Sequence, residues 1–278
     1  MRLRTLTTMC ALFLLALASP ASAVVHLNID FAESGSATIG TDLTGVGGWT
    51  VTPGDGEIEV GANLTYPGYT SAGNGGNYVG STNNAAAQFA LPTSASAMFG
   101  PSGSGQTFYM SLLGTGTSGP VFRNPTDGNK FTINTDTGGG MRLFLEGAPA
   151  GSGESSFAGA GTDNGGTNLW MFQITNNGVG NADTIHAVGN PDLAQGEPDW
   201  GNVGVTSDSL DWTSSSNTGY ENYEWNGQGS YFGDVPREGR FDAIRIADSY
   251  GELLIPEPAT LGLLGLGSLL MLKRRCHR

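Results

Sequence analysis

Three pairs of carboxylates are the residues of this 278-residue chain whose type and spacing best suit hydrolytic chemistry. They are Glu57 with Glu59, Glu197 with Asp199, and Glu221 with Glu224. Two carboxylates that flank a glycosidic bond, ~5–5.5 Å apart for retention, can cleave it, and residues i and i+2 of a strand share one face. However, no third acid follows Glu59 at position 61 or 62, a proline splits the second pair, and the third pair lies in a predicted loop. We therefore expect no catalytic residue in this set.

The histidines and the acidic loops give equally little evidence of a catalytic or metal centre. His26 and His186 each stand on a predicted strand without a serine-nucleophile motif nearby, which favours a structural role. Calcium is the one ion that suits the hard oxygen ligands of loops 127–129, 134–136 and 163–164. None of these loops has the spacing of a defined calcium loop, and Asp, Asn and Gly are common turn residues. We expect no resident metal or cofactor, with calcium as the alternative.

Four aromatic residues are candidates for contacting a sugar: Trp200, Trp212, Tyr223 and Trp225. They fall between Asn190 and Gln228, a polar segment that the sequence predicts to be a long loop. Flat rings among polar residues can form a platform for the apolar faces of sugars. The alternative, which the sequence favours, is that the rings pack back onto the sheet as lids.

Eight short stretches of alternating apolar and β-branched residues predict the strands that would position these groups. They are 24–31, 56–60, 106–113, 130–133, 141–146, 169–175, 184–188 and 241–247. Clusters of Gly, Asn, Asp and Pro separate them, which is typical of an all-β antiparallel sandwich. Residues 147–168 and 190–228 are expected to be loops and 83–89 a short helical turn, and the body otherwise lacks helical periodicity.

The composition of the central part excludes several classes of protein. Residues 30–257 hold all 25 acidic residues and six of the 12 basic ones, a formal charge of 6 − 25 = −19. Such a surface repels nucleic acid and anionic lipid headgroups. Cys10 and Cys276 both lie outside this part, so neither a disulfide framework nor a thiol nucleophile is available within it.

The first 23 residues have the three parts of a secretory signal peptide. Arg2 and Arg4 supply the positive region, apolar residues run over 9–18, and Ala21 and Ala23 match the small-residue rule for signal peptidase. The apolar stretch is well short of the ~20 residues that a spanning helix needs. We expect cleavage after Ala23. The chain then divides into a signal helix (1–23), one β-sandwich domain (24–254) and a hydrophobic C-terminal helix (255–278).

The C-terminal segment has three parts in a fixed order. Pro256-Glu257-Pro258 is followed by apolar residues 259–272 and by the basic cluster Lys273-Arg274-Arg275. An apolar segment with a basic end inserts with that end in the cytoplasm, and each proline disfavours helix at the preceding residue. This arrangement resembles the PEP-CTERM sorting domain of Gram-negative bacteria that make extracellular polysaccharide, and the resemblance implies processing by an exosortase, a membrane transpeptidase. The alternative is a plain membrane anchor, although 14 apolar residues are short for a permanent span.

A second resemblance concerns the stretches LWMFQI and FDAIRI, which begin at Leu169 and Phe241. They look like late strands of concanavalin A-like, laminin-G-type jelly rolls, in which an Asp-x-x-Arg-Ile strand closes the sandwich. Ala243 replaces the usual acid here. The resemblance implies a fold more than an activity, and structural roles for Asp242 and Arg245. Strict alternation would place these two residues on opposite faces of their strand.

Together these features predict an exported β-sandwich protein without catalytic function. We expect its tail to hold it transiently in the membrane, after which it reaches the cell surface or the extracellular matrix. Its expected partners are signal peptidase, an exosortase and, before processing, the membrane, with nucleic acid excluded. Polysaccharide binding and a passive structural role are both open to the body, and a glycoside hydrolase-like enzyme of the same fold is the rival interpretation.

Overall fold

The structure is a computed structural model that describes residues 24–29, 49–52, 56–69, 75–80, 86–115, 119–123, 130–135, 141–146, 153–157, 166–202, 205–211, 222–226 and 240–254. Within these residues the strands are β1 (Val25–Ile29), β2 (Thr50–Thr52), β3 (Gly56–Gly61), β4 (Gly75–Gly80), β5 (Ala86–Ala90), β6 (Thr107–Thr115), β7 (Gly119–Arg123), β8 (Lys130–Thr135), β9 (Met141–Glu146), β10 (Gly153–Phe157), β11 (Asn168–Thr175), β12 (Asp183–Gly189), β13 (Val205–Leu210), β14 (Asn222–Asn226) and β15 (Arg240–Ala247). The helices are α1 (Thr93–Met98) and α2 (Tyr250–Leu254), with short 3₁₀ helices at Pro101–Gly103 and Leu193–Gln195.

The strands form two antiparallel sheets. The first has the order β13-β12-β11-β6-β15-β4-β3, with β1 also paired to β15, and the second has the order β10-β9-β8-β7-β14-β5-β2. The predicted class, an antiparallel β-sandwich, is therefore confirmed. The two predicted terminal helices, 1–23 and 255–278, lie outside the described residues. Neither of the helices in the described ranges has the length and apolar character needed to cross a bilayer.

Strand β15 is the junction of the first sheet. Strand β6 pairs along one side of it, while β4 pairs with its beginning and β1 with its end on the other side. A strand bordered in this way has little free edge, so its main-chain groups are paired within the sheet.

A β-bulge in β15 changes which of its residues share a face. Asp242 pairs with Leu113 and Arg245 with Ser111, so two residues of β15 lie opposite one residue of β6. The bulged residue Ala243 has φ 47°, in the left-handed region that bulges often use. Residues 111 and 113 share a face of β6, and Asp242 and Arg245 consequently share a face of β15. The expectation of opposite faces is wrong because the inserted residue breaks the alternation.

The middle strands of the first sheet are covered on both faces. One face carries Phe108, Met110, Leu112, Trp170, Phe172 and Ile174, each at most 3% exposed. The other face, here called the outer face, lies under α2 and segments 62–69 and 190–202, in a cluster of Leu64, Tyr69, Leu113, Leu169, Met171, Trp200, Ala243, Ala247, Tyr250 and Leu253. Burial on both faces explains why β11 reads as a nearly continuous apolar run.

All eight predicted strands are present, and the remaining strands lie where the sequence predicts none. The expected loop 147–168 contains β10, and the expected loop 190–228 contains β13 and β14. Residues 86–89 of the expected helical turn belong instead to β5. These three expectations are wrong, and the physical reason is clearest for β5. Strand β5, with the sequence AAQFA, lacks apolar alternation, and its conformation follows from pairing with β14 and β2 on either side. Such pairing is a tertiary effect that overrides local propensity.

Replacing Leu169 by alanine should strongly destabilise the protein, because this side chain is 0% exposed within the outer-face cluster. Leucine-to-alanine changes in a core lower the free energy of unfolding by about 2–5 kcal/mol. Val179, which is 46% exposed, provides the control, since Val179→Ala should change that free energy by no more than about 0.5 kcal/mol. Urea unfolding of the purified proteins measures both changes, and equal losses would contradict the packing of β11.

Candidate functional site

Asp242 connects β15 to the segment that follows β3. Its side chain is 0% exposed, and each carboxylate oxygen accepts a main-chain N–H. Oδ2 accepts from Leu64 N at 2.9 Å, and Oδ1 accepts from Ala243 N at 2.7 Å. The first bond fixes segment 62–69 over the outer face, and the second stabilises the bulge itself.

Arg245 connects β15 to both β1 and α2. Its side chain is 3% exposed. Nε donates to Asn28 Oδ1 at 3.0 Å, and Nη1 donates to Leu253 O at 2.6 Å. The last carbonyls of a helix lack intrahelical donors, so Arg245 supplies one to α2. Together with the bonds of Asp242, these contacts confirm the structural roles expected for both residues.

Tyr69 completes this buried polar group. The guanidinium carbon of Arg245 lies 4.7 Å from the centroid of the Tyr69 ring, a cation–π contact. The Tyr69 hydroxyl donates to Ala243 O at 3.2 Å and shares a hydrogen bond with Ser111 Oγ at 2.7 Å. Desolvation raises the pKa of Tyr69 above its ordinary value, against the opposing effects of the Arg245 charge and the Ser111 hydrogen bond. The phenol therefore stays neutral and able to donate.

Trp200 holds segment 190–202 onto the outer face. Its ring centroid lies 6.1 Å from that of Tyr109 and 6.3 Å from that of Tyr250. Its Nε1 donates to Glu197 Oε1 at 2.9 Å, and the Tyr250 hydroxyl donates to Gly196 O at 3.2 Å. Desolvation raises the pKa of Tyr109 and of Tyr250, and the nearby Glu197 carboxylate raises both further. The segment is thus a lid fastened by three aromatic rings.

The four aromatic candidates are not gathered on one loop. Trp200 is 7% exposed and packs inside the lid, as the favoured alternative expects, so its ring offers little surface to a sugar. Tyr223 and Trp225 belong to β14, in the second sheet, and Trp212 lies outside the described residues. The described members of the set therefore do not lie on one loop, and sugar contact by them stays a prediction.

The three carboxylate pairs are also dispersed. Glu57 and Glu59 lie on β3, at the end of the first sheet, while Glu224 lies on β14 and Glu221 outside the described residues. Besides the Glu197 bond to the lid tryptophan, Asp199 accepts from Gly201 N at 3.3 Å and from Asn202 Nδ2 at 2.5 Å. The carboxylates of the second pair therefore stabilise the lid segment in which they occur.

Across the described part of the chain, no three His, Cys, Asp or Glu side chains come together as metal ligands would. Of the calcium candidates, residues 127–129, 136 and 163–164 lie outside that part, and residues 134–135 end β8. His186 lies on β12 opposite Gln173 of β11. His26, on β1, shares a hydrogen bond with Asp248 at 2.6 Å.

A groove of about 510 Å³ opens between the two covering segments. It is lined by Tyr66, Pro67, Gly68, Asn190, Pro191, Asp192, Leu193, Ala194 and Leu254. Polar groups in this lining bond to neighbouring protein groups: the Tyr66 hydroxyl donates to Pro191 O at 2.8 Å, and Asn190 Oδ1 accepts from Leu169 N at 2.9 Å. Because Leu254 lines the groove and ends α2, the C-terminal segment begins beside this groove.

The C-terminal segment matches a known family. Residues 254–278 match the PEP-CTERM protein-sorting motif, which confirms the resemblance found in the sequence. The match begins at Leu254, the last residue of α2. This motif implies sorting by an exosortase, with export and a transient membrane anchor. No curated protein matches the chain.

The solved structures to which the chain is similar include three carbohydrate-active proteins. They are a carbohydrate esterase from the Shiga toxin-encoding bacteriophage phi24B (12% identity, TM-score 0.45, 82% of this chain and 100% of that one), an endo-1,3-β-glucanase from Streptomyces sioyaensis (11%, 0.43, 83% and 98%), and a Bacillus licheniformis β-glucanase (11%, 0.42, 82% and 99%). Identities and TM-scores this low assign neither a substrate nor an activity to this chain. Its fold class follows from its own two antiparallel sheets.

Replacing Arg245 by alanine should lower the free energy of unfolding by about 3–5 kcal/mol, because two hydrogen bonds from a charged donor are lost and two buried acceptors are left unpaired. Asn28→Ala removes only one neutral partner of the guanidinium and should cost about 1 kcal/mol. Guanidinium chloride unfolding gives both values, and hydrogen exchange should show faster opening of α2 in the Arg245 variant. A loss below 1 kcal/mol for Arg245→Ala would contradict its role in docking α2.

Proposed function

We propose that this protein is an exported, non-enzymatic β-sandwich protein of the cell surface or extracellular matrix, processed by an exosortase at its C-terminal segment. One observation carries the proposal. The matched sorting motif begins at Leu254, where the last described helix of the folded body ends. Leu253 is 0% exposed, and its carbonyl is held by Arg245. Packing of the described body thus extends to the residue before the one at which the matched motif starts, which supports a sorting signal that follows a folded domain.

Export begins, in this proposal, with signal peptidase cutting after Ala23. The cut falls just before β1, which starts at Val25, so it leaves the first strand intact. The apolar residues 259–272 then hold the precursor in the membrane with the basic cluster Lys273-Arg274-Arg275 in the cytoplasm. Exosortase removes this anchor near Pro256-Glu257-Pro258, beyond the contacts that hold α2.

The intact mass of the protein from its producing cells, with and without exosortase, tests this route. We expect an N-terminus at Val24 in both strains and a C-terminus near residues 256–258 only when the enzyme is present. Changing Pro256 and Pro258 together to alanine should block that processing, because it removes the extended segment that the prolines favour. Glu252→Gln, within α2, is the control and should be processed normally. An intact tail in both strains would overturn the sorting proposal and leave a membrane-anchored protein.

Polysaccharide binding by the body is the second part of the proposal. Tyr223 and Trp225 lie two positions apart on β14, so they belong to the same face of the second sheet. Strand β14 pairs with β7 on one side and β5 on the other, which places these residues within a sheet and away from its edges. The formal charge of −19 over residues 30–257 favours neutral or cationic glycans over acidic ones.

A glycan array that includes neutral and cationic polysaccharides tests this binding. Changing Tyr223 and Trp225 together to alanine should weaken binding by about tenfold or more, as expected for aromatic anchors. Trp200→Phe, within the lid, is the control and should bind as the wild type does. Silence across the array would favour a passive structural role, and release of shortened glycans would favour the enzyme alternative.

A further inference from the structure

Asp248 holds the main chain at the start of β1. Its Oδ2 accepts a hydrogen bond from Val24 N at 3.3 Å, and its own N–H donates to Val24 O at 3.1 Å. Asp248 directly follows β15 and Val24 directly precedes β1, whose Val25 pairs with Ala247. These bonds extend the pairing of the two strands by one residue. They also bring a carboxylate to the nitrogen at which the proposed cleavage occurs.

The second oxygen of this carboxylate is occupied by His26. Oδ1 lies 2.6 Å from His26 Nε2, and the His26 side chain is 10% exposed. His26 Nδ1 is buried without a hydrogen-bond partner. Asp248 therefore contacts His26 through one carboxylate oxygen and the main chain at Val24 through the other.

We propose that Asp248 is the binding site for the α-ammonium group that signal-peptide removal creates at Val24. This inference depends on the cleavage after Ala23 proposed above. Hydrolysis breaks the bond between Ala23 C and Val24 N, with the hydroxyl of water going to the carbonyl carbon and a proton to the nitrogen. The α-amino group, with an ordinary pKa of about 7.7–8.0, takes up a further proton from solvent near pH 7. The donor to the Asp248 carboxylate then changes from a neutral amide to a cation, which adds the attraction between two opposite charges to the hydrogen bond.

Cleavage after Ala23 therefore strengthens the attachment of β1 beside α2, the helix at which the C-terminal segment begins. The ammonium fastens β1 to the residue that joins β15 to α2, and α2 ends where the sorting motif begins. The Asp248 side chain is 41% exposed. The effect is accordingly modest and sensitive to salt, as for other ion pairs open to solvent.

The test uses the exported protein purified from producing cells and a version with Gly-Ser inserted between Ala23 and Val24. The insertion moves the ammonium two residues away while keeping the Val24 N–H as an amide, and intact mass establishes both N-termini. We expect the native form to melt about 2 °C higher than the extended form, given the size of the domain and the exposure of the pair. This difference should disappear in the Asp248→Asn background and shrink in 1 M NaCl.

Asp211→Asn is the matched control, because Asp211 Oδ2 accepts the N–H of Gly180, at 2.6 Å, far from the terminus in sequence. It should lower the melting temperature equally in the native and extended forms. Equal melting temperatures of the two forms, with a native N-terminus at Val24, would overturn the ammonium site and leave export and sorting untouched. A native mass that begins elsewhere would overturn the cleavage position and this site with it, without bearing on the C-terminal processing.

Discussion

The structure depends on two opposite charges buried in a single strand. Removing a carboxylate or a guanidinium from water costs several kcal/mol per ion unless hydrogen bonds replace the water. Asp242 and Arg245 of β15 meet this requirement with groups from three separate places: the segment after β3, strand β1 and helix α2. The bulge at Ala243 makes this arrangement feasible, because it turns both charges to the outer face, where those groups lie. Without it, one of the two charges would face the opposite, apolar side of the sheet.

The bulge also marks the limit of what the sequence predicts about the fold. Alternation has a period of two, so one inserted residue reverses every facial assignment beyond it. Glycine is the usual residue at positive φ, and the alanine at 243 gives no such signal. The strands recovered from the sequence, such as β11, are those whose own side chains supply the apolar pattern. Strands such as β4, with the sequence GGNYVG, owe their conformation to neighbours that are distant in the chain.

The candidate sites also differ in whether local sequence or contacts between distant residues define them. The C-terminal motif was predictable because an enzyme reads it as a linear segment, so its information is local. For the lid, the sequence predicts that aromatic rings pack onto the sheet but not which residues they contact. Polar spacing and scattered aromatic residues suggest rings that pack back onto a sheet, but Tyr109 and Tyr250, which hold Trp200, come from β6 and α2. Local sequence patterns do not predict contacts between residues that are distant in the chain. They therefore predict neither these partners nor the hydrogen bond from Leu64 N to Asp242.

The pairing of β1 with β15, the first and last described strands, determines where the chain enters and leaves the described sandwich. In an antiparallel pair, the start of one strand lies beside the end of the other. Val24 therefore lies beside Asp248, and α2 carries the chain only as far as Leu254 before the sorting motif begins. A tail inserted with its basic end in the cytoplasm keeps this region of the body on the exported side of the membrane. The proposed N-terminal cut precedes Val24, so the antiparallel pairing of β1 with β15 brings the residue after that cut close to the helix that leads to the sorting motif.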